Sequence, residues 1–259
     1  LDRIAEHNGS TDFFKISPSQ AASFFTSTTM WYRETLLGEK RVIENQDSLA
    51  LGTIVHYFAE QASLRLKPEN PDKLVADFLS TQKVESPAEI QALWKDMSNE
   101  LIKGCIHGHP KPLATEQFMF HKLLPGIYVG GTTDAIVDLG NGTVSIRDYK
   151  TASTKPSGIS YAYRLQAHIY AFLATHYLGH KVSQIELQFV TRPTKTLPCR
   201  HFSFTEPFTE ENLATITDQL QLIAESVDFW NKNPDLRYLL AQDLRLKPQP
   251  KKKPLFLKD

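Results

Sequence analysis

The stretch Gly-Gly-Thr-Thr-Asp at residues 130–134 and the stretch Arg-Asp-Tyr-Lys-Thr at residues 147–151 decide the fold that we expect. The first stretch is followed by the apolar run Ala-Ile-Val and then by the turn Gly-Asn-Gly at residues 140–142. Residues rich in β-formers flank this turn on both sides, a pattern typical of a hairpin of two antiparallel strands. Such a hairpin brings two carboxylates and one amine to neighbouring strand ends.

The chemistry of these two stretches resides in Asp134, Asp148 and Lys150. Because side chains alternate between the faces of a strand, Asp148 and Lys150 project to the same side. Tyr149 points away, but its backbone carbonyl is a candidate metal ligand. Paired carboxylates hold Mg²⁺ or Mn²⁺ through oxygen, and a nearby ammonium orients water or stabilises charge on a phosphate. The pattern therefore indicates metal-assisted phosphodiester hydrolysis, with an ordinary cross-strand ion pair as the alternative.

Further motifs follow one another in a definite order along the chain. They are Leu-Gly-Thr-Ile-Val-His ending at His56, then Glu116, Gly-Thr-Thr-Asp134, Asp148-Tyr-Lys150-Thr, and Gln166 with Tyr170. Over residues 17–192 this order resembles the PD-(D/E)XK nuclease superfamily, and most closely its RecB-like exonuclease branch. Each motif alone is weak, whereas the order and spacing of five are specific. Thr133 stands where the superfamily usually has proline, a departure common in the branch.

The resemblance implies a role for each residue of these motifs. Asp134 and Asp148 are expected to bind the metal, and Lys150 to position or activate the attacking water. His56 is expected to be an additional metal ligand. Glu116 takes the place of an acidic residue near a second metal or its water shell.

The resemblance also implies contacts with the substrate. Gln166 and Tyr170, one helical turn apart, are expected to contact the phosphate backbone or Lys150. Arg33, Arg164 and Arg192 are further candidates for DNA binding. Packing with one hydrogen bond would account equally well for Gln166 and Tyr170, as would a hydrogen-bonded core position for His56 and a solvated strand start for Glu116.

The expected fold is α/β, with the αβββαβ core of restriction-endonuclease-like proteins, a central mixed sheet flanked by helices and an α-helical insertion. Strong local signals support it, because Ser17, Pro18 and Gln20 form a capping-box helix start and Gly179 is a helix stop. We expect the first helix to run on to Gly38. A single domain over residues 1–259 is predicted, with parts at residues 17–112 (N-terminal helices), 113–204 (catalytic sheet), 205–246 (C-terminal helices) and 247–259 (basic tail).

Composition narrows the function classes. The 29 basic and 29 acidic residues give no net charge, which argues against a general nucleic-acid coating protein. Two cysteines cannot supply the roughly four thiolates of an iron-sulfur cluster, so no such cluster is expected. The sequence has no long apolar run and no secretory pattern, which favours a soluble, cytoplasmic protein without a membrane partner.

Together these patterns predict a Mg²⁺- or Mn²⁺-dependent DNA nuclease that hydrolyses phosphodiesters with metal-activated water. An exonuclease acting on DNA ends in phage or bacterial recombination or repair fits best. The alternatives are a structure-specific or single-strand endonuclease and a nonhydrolytic DNA-binding subunit, against which the intact Asp134, Asp148 and Lys150 count. The sequence lacks an ATP-binding motif, so processive digestion would require ring assembly as a homo-oligomer, a channel that threads the DNA, or a partner protein.

Overall fold

A mixed six-stranded sheet forms the centre of the protein in a computed structural model that describes residues 2–39 and 45–236. The strands follow the order β1-β3-β4-β5-β6, and β2 pairs along β3. They are β1 (Phe14–Ile16), β2 (Ala114–Leu124), β3 (Ile127–Asp138), β4 (Val144–Ala152), β5 (Val182–Thr191) and β6 (Arg200–Pro207).

Eight α-helices cover the two faces of this sheet within the described residues. They are α1 (Asp2–Asn8), α2 (Pro18–Thr26), α3 (Thr28–Trp31), α4 (Gln46–Ser63), α5 (Pro71–Thr81), α6 (Pro87–Cys105), α7 (Tyr161–Leu178) and α8 (Glu210–Lys232). A π-helical turn, Tyr32–Leu36, continues α3. None of these helices has the length and apolar character needed to span a bilayer.

The strand pairing confirms the predicted αβββαβ core. Strands β2, β3 and β4 are antiparallel neighbours, α7 crosses over, and β5 lies parallel to β4. The three-residue strand β1, which pairs in parallel with β3, was not predicted. A strand this short carries too little alternation to be recognised, and its place in the sheet depends on a partner more than 100 residues away.

A hydrophobic core lies on each face of the sheet. On one face, α7 lies against β4 and β5, where Ile146 and Ile185 are buried, and α2 and α8 pack against α7 and β3. On the other, α4 lies against β4 and α6 against β5, where Tyr149 and Val190 are buried, and α5 packs on α6. The predicted α-helical insertion, near residues 72–80 and 87–103, corresponds to α5 and α6, which share this second core with α4. The sheet separates the layer α4–α6 from α2, α7 and α8.

The prediction of one helix from Ser17 to Gly38 is wrong. Its start is correct, because Ser17 and Gln20 form the expected capping box, but α2 ends at Thr26. In the run Thr-Ser-Thr-Thr at residues 26–29, the Thr26 hydroxyl donates to the Ala22 carbonyl at 2.9 Å. Hydroxyl side chains that bond to nearby carbonyls in this way compete with regular helix geometry.

The two ends of the sequence-based division also differ from the structure. Strand β6 continues to Pro207, beyond the expected limit of the catalytic sheet at residue 204. After α8 a single 3-10 turn, Pro234–Leu236, is described. The rest of the expected helical segment and the basic tail at residues 247–259 lie outside the described residues.

Candidate active site

The β3–β4 hairpin brings Asp134 and Asp148 together. Ala135 pairs with Arg147, and the same register continued by one residue sets Asp134 opposite Asp148. The backbone N–H of Tyr149 donates to Asp134 Oδ2 at 2.6 Å. The strand that carries Asp148 thus fixes the Asp134 carboxylate directly.

Lys150 lies beside Asp148 on the same face of β4, as predicted. Its Nζ is 2.5 Å from Asp148 Oδ2, and this ion pair is nearly closed to solvent. On its other side the ammonium lies 5.2 Å from the centre of the Tyr163 ring, which belongs to the first turn of α7. A carboxylate and an aromatic face therefore hold the ammonium from two directions.

His56 reaches the carboxylates from α4. Its Nδ1 is 3.4 Å from Asp134 Oδ1. The helix approaches the sheet closely at Gly52, one turn earlier, where an added Cβ would lie 3.3 Å from Thr151 Oγ1. Glycine at this position lets α4 come near enough to β4 for the imidazole to contact Asp134.

The pKa values of the two carboxylates are shifted in opposite directions. Burial and the neighbouring charge of Asp134 hold the pKa of Asp148 above its ordinary value, although Lys150 opposes them. Burial alone would also raise the pKa of Asp134, but His56, Lys150 and the Tyr149 N–H outweigh it and hold that pKa below its ordinary value. Two adjacent groups with divergent pKa values are a feature of functional sites.

The cationic groups respond to the same carboxylates. Burial alone would lower the pKa of the Lys150 amine, but Asp148 and Asp134 outweigh it and hold that pKa above its ordinary value. Burial likewise acts to lower the pKa of His56, and contact with Asp134 raises it above the ordinary value. Lys150 is therefore an ammonium at neutral pH in the metal-free protein.

Glu116 faces Asp134 from β2. The register between β2 and β3 is the same on both sides of Glu116, which sets it opposite Asp134. Partial burial, Asp134 and Glu60 raise the pKa of Glu116 to about 7, against a lowering effect of His56. The residue as a whole is exposed to solvent, which partly screens these charges.

Tyr170 and Gln166 lie on α7, close to β3. An added Cβ at Gly131 would lie 3.1 Å from a Tyr170 ring carbon and 2.7 Å from Pro18 Cδ. Burial and the charges of Asp148, Asp134 and Glu116 raise the pKa of the Tyr170 hydroxyl. Tyr170 therefore lies within reach of the charges of the carboxylates. Its expected contact with the phosphate backbone or Lys150 remains a prediction.

Gln166 borders a cleft of about 600 Å³ between α2 and the start of α7. Its side chain makes no hydrogen bond to any residue that the structure describes.

A model of the PD-(D/E)XK nuclease superfamily matches residues 15–251. The chain belongs to this superfamily. A protein of Eubacterium rectale, provisionally named an exonuclease, aligns with a TM-score of 0.52 and 12% identity over 93% of this chain and 86% of its own. LHK-Exo, solved in complex with dAMP, aligns with a TM-score of 0.34 and 16% identity over 69% of this chain and 93% of its own. No curated protein sequence matches.

In this member of the superfamily the three candidate DNA-binding arginines have protein partners. Arg33 is exposed and pairs with Glu39 at 2.7 Å. Arg164 donates two hydrogen bonds to the Glu206 carboxylate, each 2.7 Å long. Arg192 donates to Ser48 Oγ at 2.7 Å beside the start of α4. A contact between any of them and DNA remains a prediction.

Two residues near the superfamily site were missed in the sequence. Glu60 follows His56 by one helical turn, and its charge acts on Glu116. Tyr163 precedes Gln166 by one helical turn, and its ring makes a cation–π contact with the Lys150 ammonium. Glu60 could have been recognised because it lies four residues after His56 and therefore on the same helix face. Nothing local in the sequence indicates Tyr163.

The donor set suits a hard divalent cation, although no group of three or more His, Cys, Asp and Glu side chains is arranged as a metal cage in the described part of the chain. Asp134 and Asp148 offer carboxylate oxygens, the ligands that Mg²⁺ and Mn²⁺ favour. Burial and, to a smaller extent, repulsion from Asp134 raise the pKa of Asp148, and a bound cation would offset both effects. Asp134 and Asp148 would hold the ion, with His56 and the Tyr149 carbonyl as further candidates.

Proposed function

We propose that this chain is a divalent-metal-dependent deoxyribonuclease that digests DNA from its ends, within the RecB-like branch of the superfamily. The observation that carries the proposal is the arrangement of Asp134, Asp148 and Lys150 at the point where the recorded pairing of β3 with β4 stops, with Lys150 Nζ 2.5 Å from Asp148. A protein that only bound DNA would not need two buried carboxylates where phosphates must approach, because they repel a polyanion.

Each residue of the site has a defined task in this proposal. The Lys150 ammonium orients the attacking water and stabilises the negative charge that develops on the phosphate oxygens. Asp148 and Tyr163 hold that ammonium in place. Mg²⁺ or Mn²⁺, when bound by Asp134 and Asp148, supplies Lewis-acid stabilisation and makes water acidic enough to attack at neutral pH.

His56 and Glu116 border the two aspartates and complete the proposed site. His56 contacts Asp134 at 3.4 Å and would turn to the cation as a further ligand. Glu116, whose pKa is raised to about 7, would accept a proton from the water shell. Tyr170 and Gln166 would bind the phosphate backbone from α7.

Digestion from ends, rather than internal cutting, is the finer part of the proposal. It is supported by the fold-level likeness to the provisionally named exonuclease of Eubacterium rectale. We further propose a role in recombination or repair in the cytoplasm, with DNA as the substrate and with a homo-oligomer or a partner protein giving processivity.

The test is to incubate the purified protein with end-labelled linear duplex, single-stranded and covalently closed circular DNA, in Mg²⁺ and in Mn²⁺. Lys150→Ala is assayed in parallel, with Lys73→Ala, an exposed lysine of α5, as the matched control. We expect the linear DNA to be degraded and the closed circle to stay intact. The cleavage rate should fall by about 100-fold or more in Lys150→Ala and should not change in Lys73→Ala.

Each other outcome changes the proposal in a definite way. Cutting of the closed circle replaces the exonuclease with an endonuclease. Cleavage that survives in Lys150→Ala removes Lys150 from the mechanism. If the protein cuts no substrate in the presence of either metal, the proposal of an enzyme that acts alone is wrong.

A further inference from the structure

Two clefts border the start of α7 and share part of their walls. The cleft of about 600 Å³ lies between α2 and α7. A second, of about 420 Å³, lies along the segment that follows Lys150, at residues 151–158. Ser160 and Tyr163 line both clefts. Each volume falls in the range of pockets for small ligands, roughly 300–1,000 Å³, which is enough for one nucleotide.

The lining of both clefts combines hydroxyl groups with apolar surface in similar amounts and has little charge. Hydroxyl groups from α2 and from residues 151–160 line them, together with Gln166, the carboxylate of Glu34, and the ring of Phe189. No Lys or Arg is among the described residues that line them. A strand bound here would therefore be held by its sugars and bases more than by its phosphates.

Tyr163 stands where the two clefts meet, and its surroundings fix the ring. Its backbone N–H donates to Ser160 Oγ at 3.3 Å, which caps α7. Its ring centre lies 6.0 Å from that of buried Phe189 on β5. The Lys150 ammonium lies 5.2 Å from the ring centre. One side chain thus borders both clefts and the reactive lysine.

We propose that Tyr163 is a positioning and specificity-determining residue that divides a single-stranded DNA path in two beside Lys150. The inference rests on the proposed nuclease function and deepens it. Nucleotides on the two sides of the scissile phosphate occupy the two clefts, and the base next to that phosphate packs on Tyr163. The same ring holds the Lys150 ammonium against the phosphate, so base contact and catalysis depend on one residue.

The first test compares Tyr163→Leu, which loses the aromatic face, with Tyr163→Phe, which keeps it. Tyr161→Leu is the matched control, because Tyr161 is exposed in the same helical turn and borders neither cleft. We expect Tyr163→Leu to lower kcat on single-stranded DNA by about 3- to 30-fold, the scale of a cation–π contact. Tyr163→Phe and Tyr161→Leu should stay within about twofold of the unaltered protein. Thermal unfolding of each variant reports its folding.

Binding is measured separately from cleavage, by fluorescence anisotropy of a labelled oligothymidylate in EDTA. Tyr163→Leu should weaken this binding by about fivefold or more, the scale of base–aromatic stacking. This arm stands even if no cleavage is found, so failure of the proposed function and failure of this inference are distinguishable.

A second measurement uses the unaltered protein and needs no variant to fold. A single abasic site is moved along a labelled oligonucleotide, and the cleavage rate is read for each position. We expect the rate to fall sharply when the missing base adjoins the scissile phosphate and little when it lies farther away. Three results would each overturn the inference. The first is that Tyr163→Leu and Tyr161→Leu lower the cleavage rate equally, and the second is that Tyr163→Phe lowers it as much as Tyr163→Leu does. The third is that the rate does not depend on the position of the abasic site.

Discussion

Glu116 lies opposite Asp134 on the neighbouring strand, and its backbone φ is 46°, in the left-handed region. For a residue with a Cβ this conformation costs about 1–2 kcal/mol. Backbone strain of this kind persists at functional sites where the surrounding structure enforces it. At Glu116 the strained backbone holds a carboxylate beside the pair formed by Asp134 and His56.

We predict that Glu116→Gly is more stable than Glu116→Ala by about 1 kcal/mol, because only glycine adopts this φ without strain. Both variants lack the carboxylate, so both should lose nuclease activity to the same extent. Urea unfolding and the cleavage assay measure the two effects. Equal stability of the two variants would contradict the strain.

A matched control for this prediction lies at the end of α4. Arg65 also has a left-handed φ, 64°, and is exposed. Arg65→Gly should likewise be more stable than Arg65→Ala by about 1 kcal/mol, but neither change should affect cleavage. If Arg65→Gly or Arg65→Ala loses cleavage activity, the loss in the Glu116 variants cannot be assigned to the missing carboxylate.

Gly131 is predicted to be intolerant of any side chain. Alanine there would set Cβ 2.7 Å from Pro18 Cδ and 3.1 Å from the Tyr170 ring, which pushes α2 and α7 off the sheet. We expect Gly131→Ala to cost about 1–3 kcal/mol in unfolding free energy, with a loss of activity. Gly158→Ala, where the added Cβ meets open space, should change stability by less than about 0.5 kcal/mol.

The titration of His56 should follow Asp134. In the metal-free protein the pKa of His56 is raised above its ordinary value by Asp134 against the effect of burial. In Asp134→Asn burial acts with less opposition, so the NMR titration midpoint of His56 should move to lower pH. Addition of Mg²⁺ to the unaltered protein should move it the same way, because a bound cation repels imidazolium. If neither Asp134→Asn nor Mg²⁺ moves the titration midpoint of His56, the contact between His56 and Asp134 is contradicted.

The buried pair Arg147–Glu186 should make stability depend on pH. Arg147 Nε donates to Glu186 Oε2 at 2.8 Å. Burial alone would raise the pKa of Glu186, but Arg147 and hydrogen bonds outweigh it and hold that pKa below its ordinary value. The contribution of Glu186 is therefore complete above the unfolded pKa of about 4.3 and is lost as the pH falls through the lower, folded value.

We expect Glu186→Gln to cost about 3 kcal/mol at neutral pH, because it leaves the Arg147 charge buried without its partner. The gap in unfolding temperature between this variant and the unaltered protein should stay constant above about pH 5 and narrow below about pH 4. Glu206→Gln, which breaks the more exposed pair with Arg164, should cost no more than about 1 kcal/mol. A Glu186→Gln gap that widens in acid would reverse the sign of the pKa shift.

The hairpin could be predicted from the sequence because its signals are local. Alternation and a Gly-Asn-Gly turn set the β3–β4 pairing, and the spacing of two places Asp148 and Lys150 on one face. The order of motifs then identified the fold, and the structure confirms it. The roles assigned to the site residues are still predictions.

Other parts of the site depend on how separate elements pack, which no local pattern records. Tyr163 meets Lys150 only because α7 crosses over β4, and Glu60 faces Glu116 only because α4 approaches the sheet at Gly52. The break of the first helix at Thr26 follows from hydroxyl contacts that a helical apolar period conceals. These features therefore appear in the fold and not in the sequence.

The close approach of α4 to β4 at Gly52 allows a ligand at the site to join the helix to the sheet. His56 projects from α4, in the layer α4–α6, whereas Lys150 lies on the side of the sheet that faces α7. A ligand bound by His56 and Asp134 together would fasten α4 to the sheet, and by mass action each tenfold rise in its concentration above Kd adds about 1.4 kcal/mol to that attachment. Slower amide hydrogen exchange in α4 would then report occupancy of the site without any turnover.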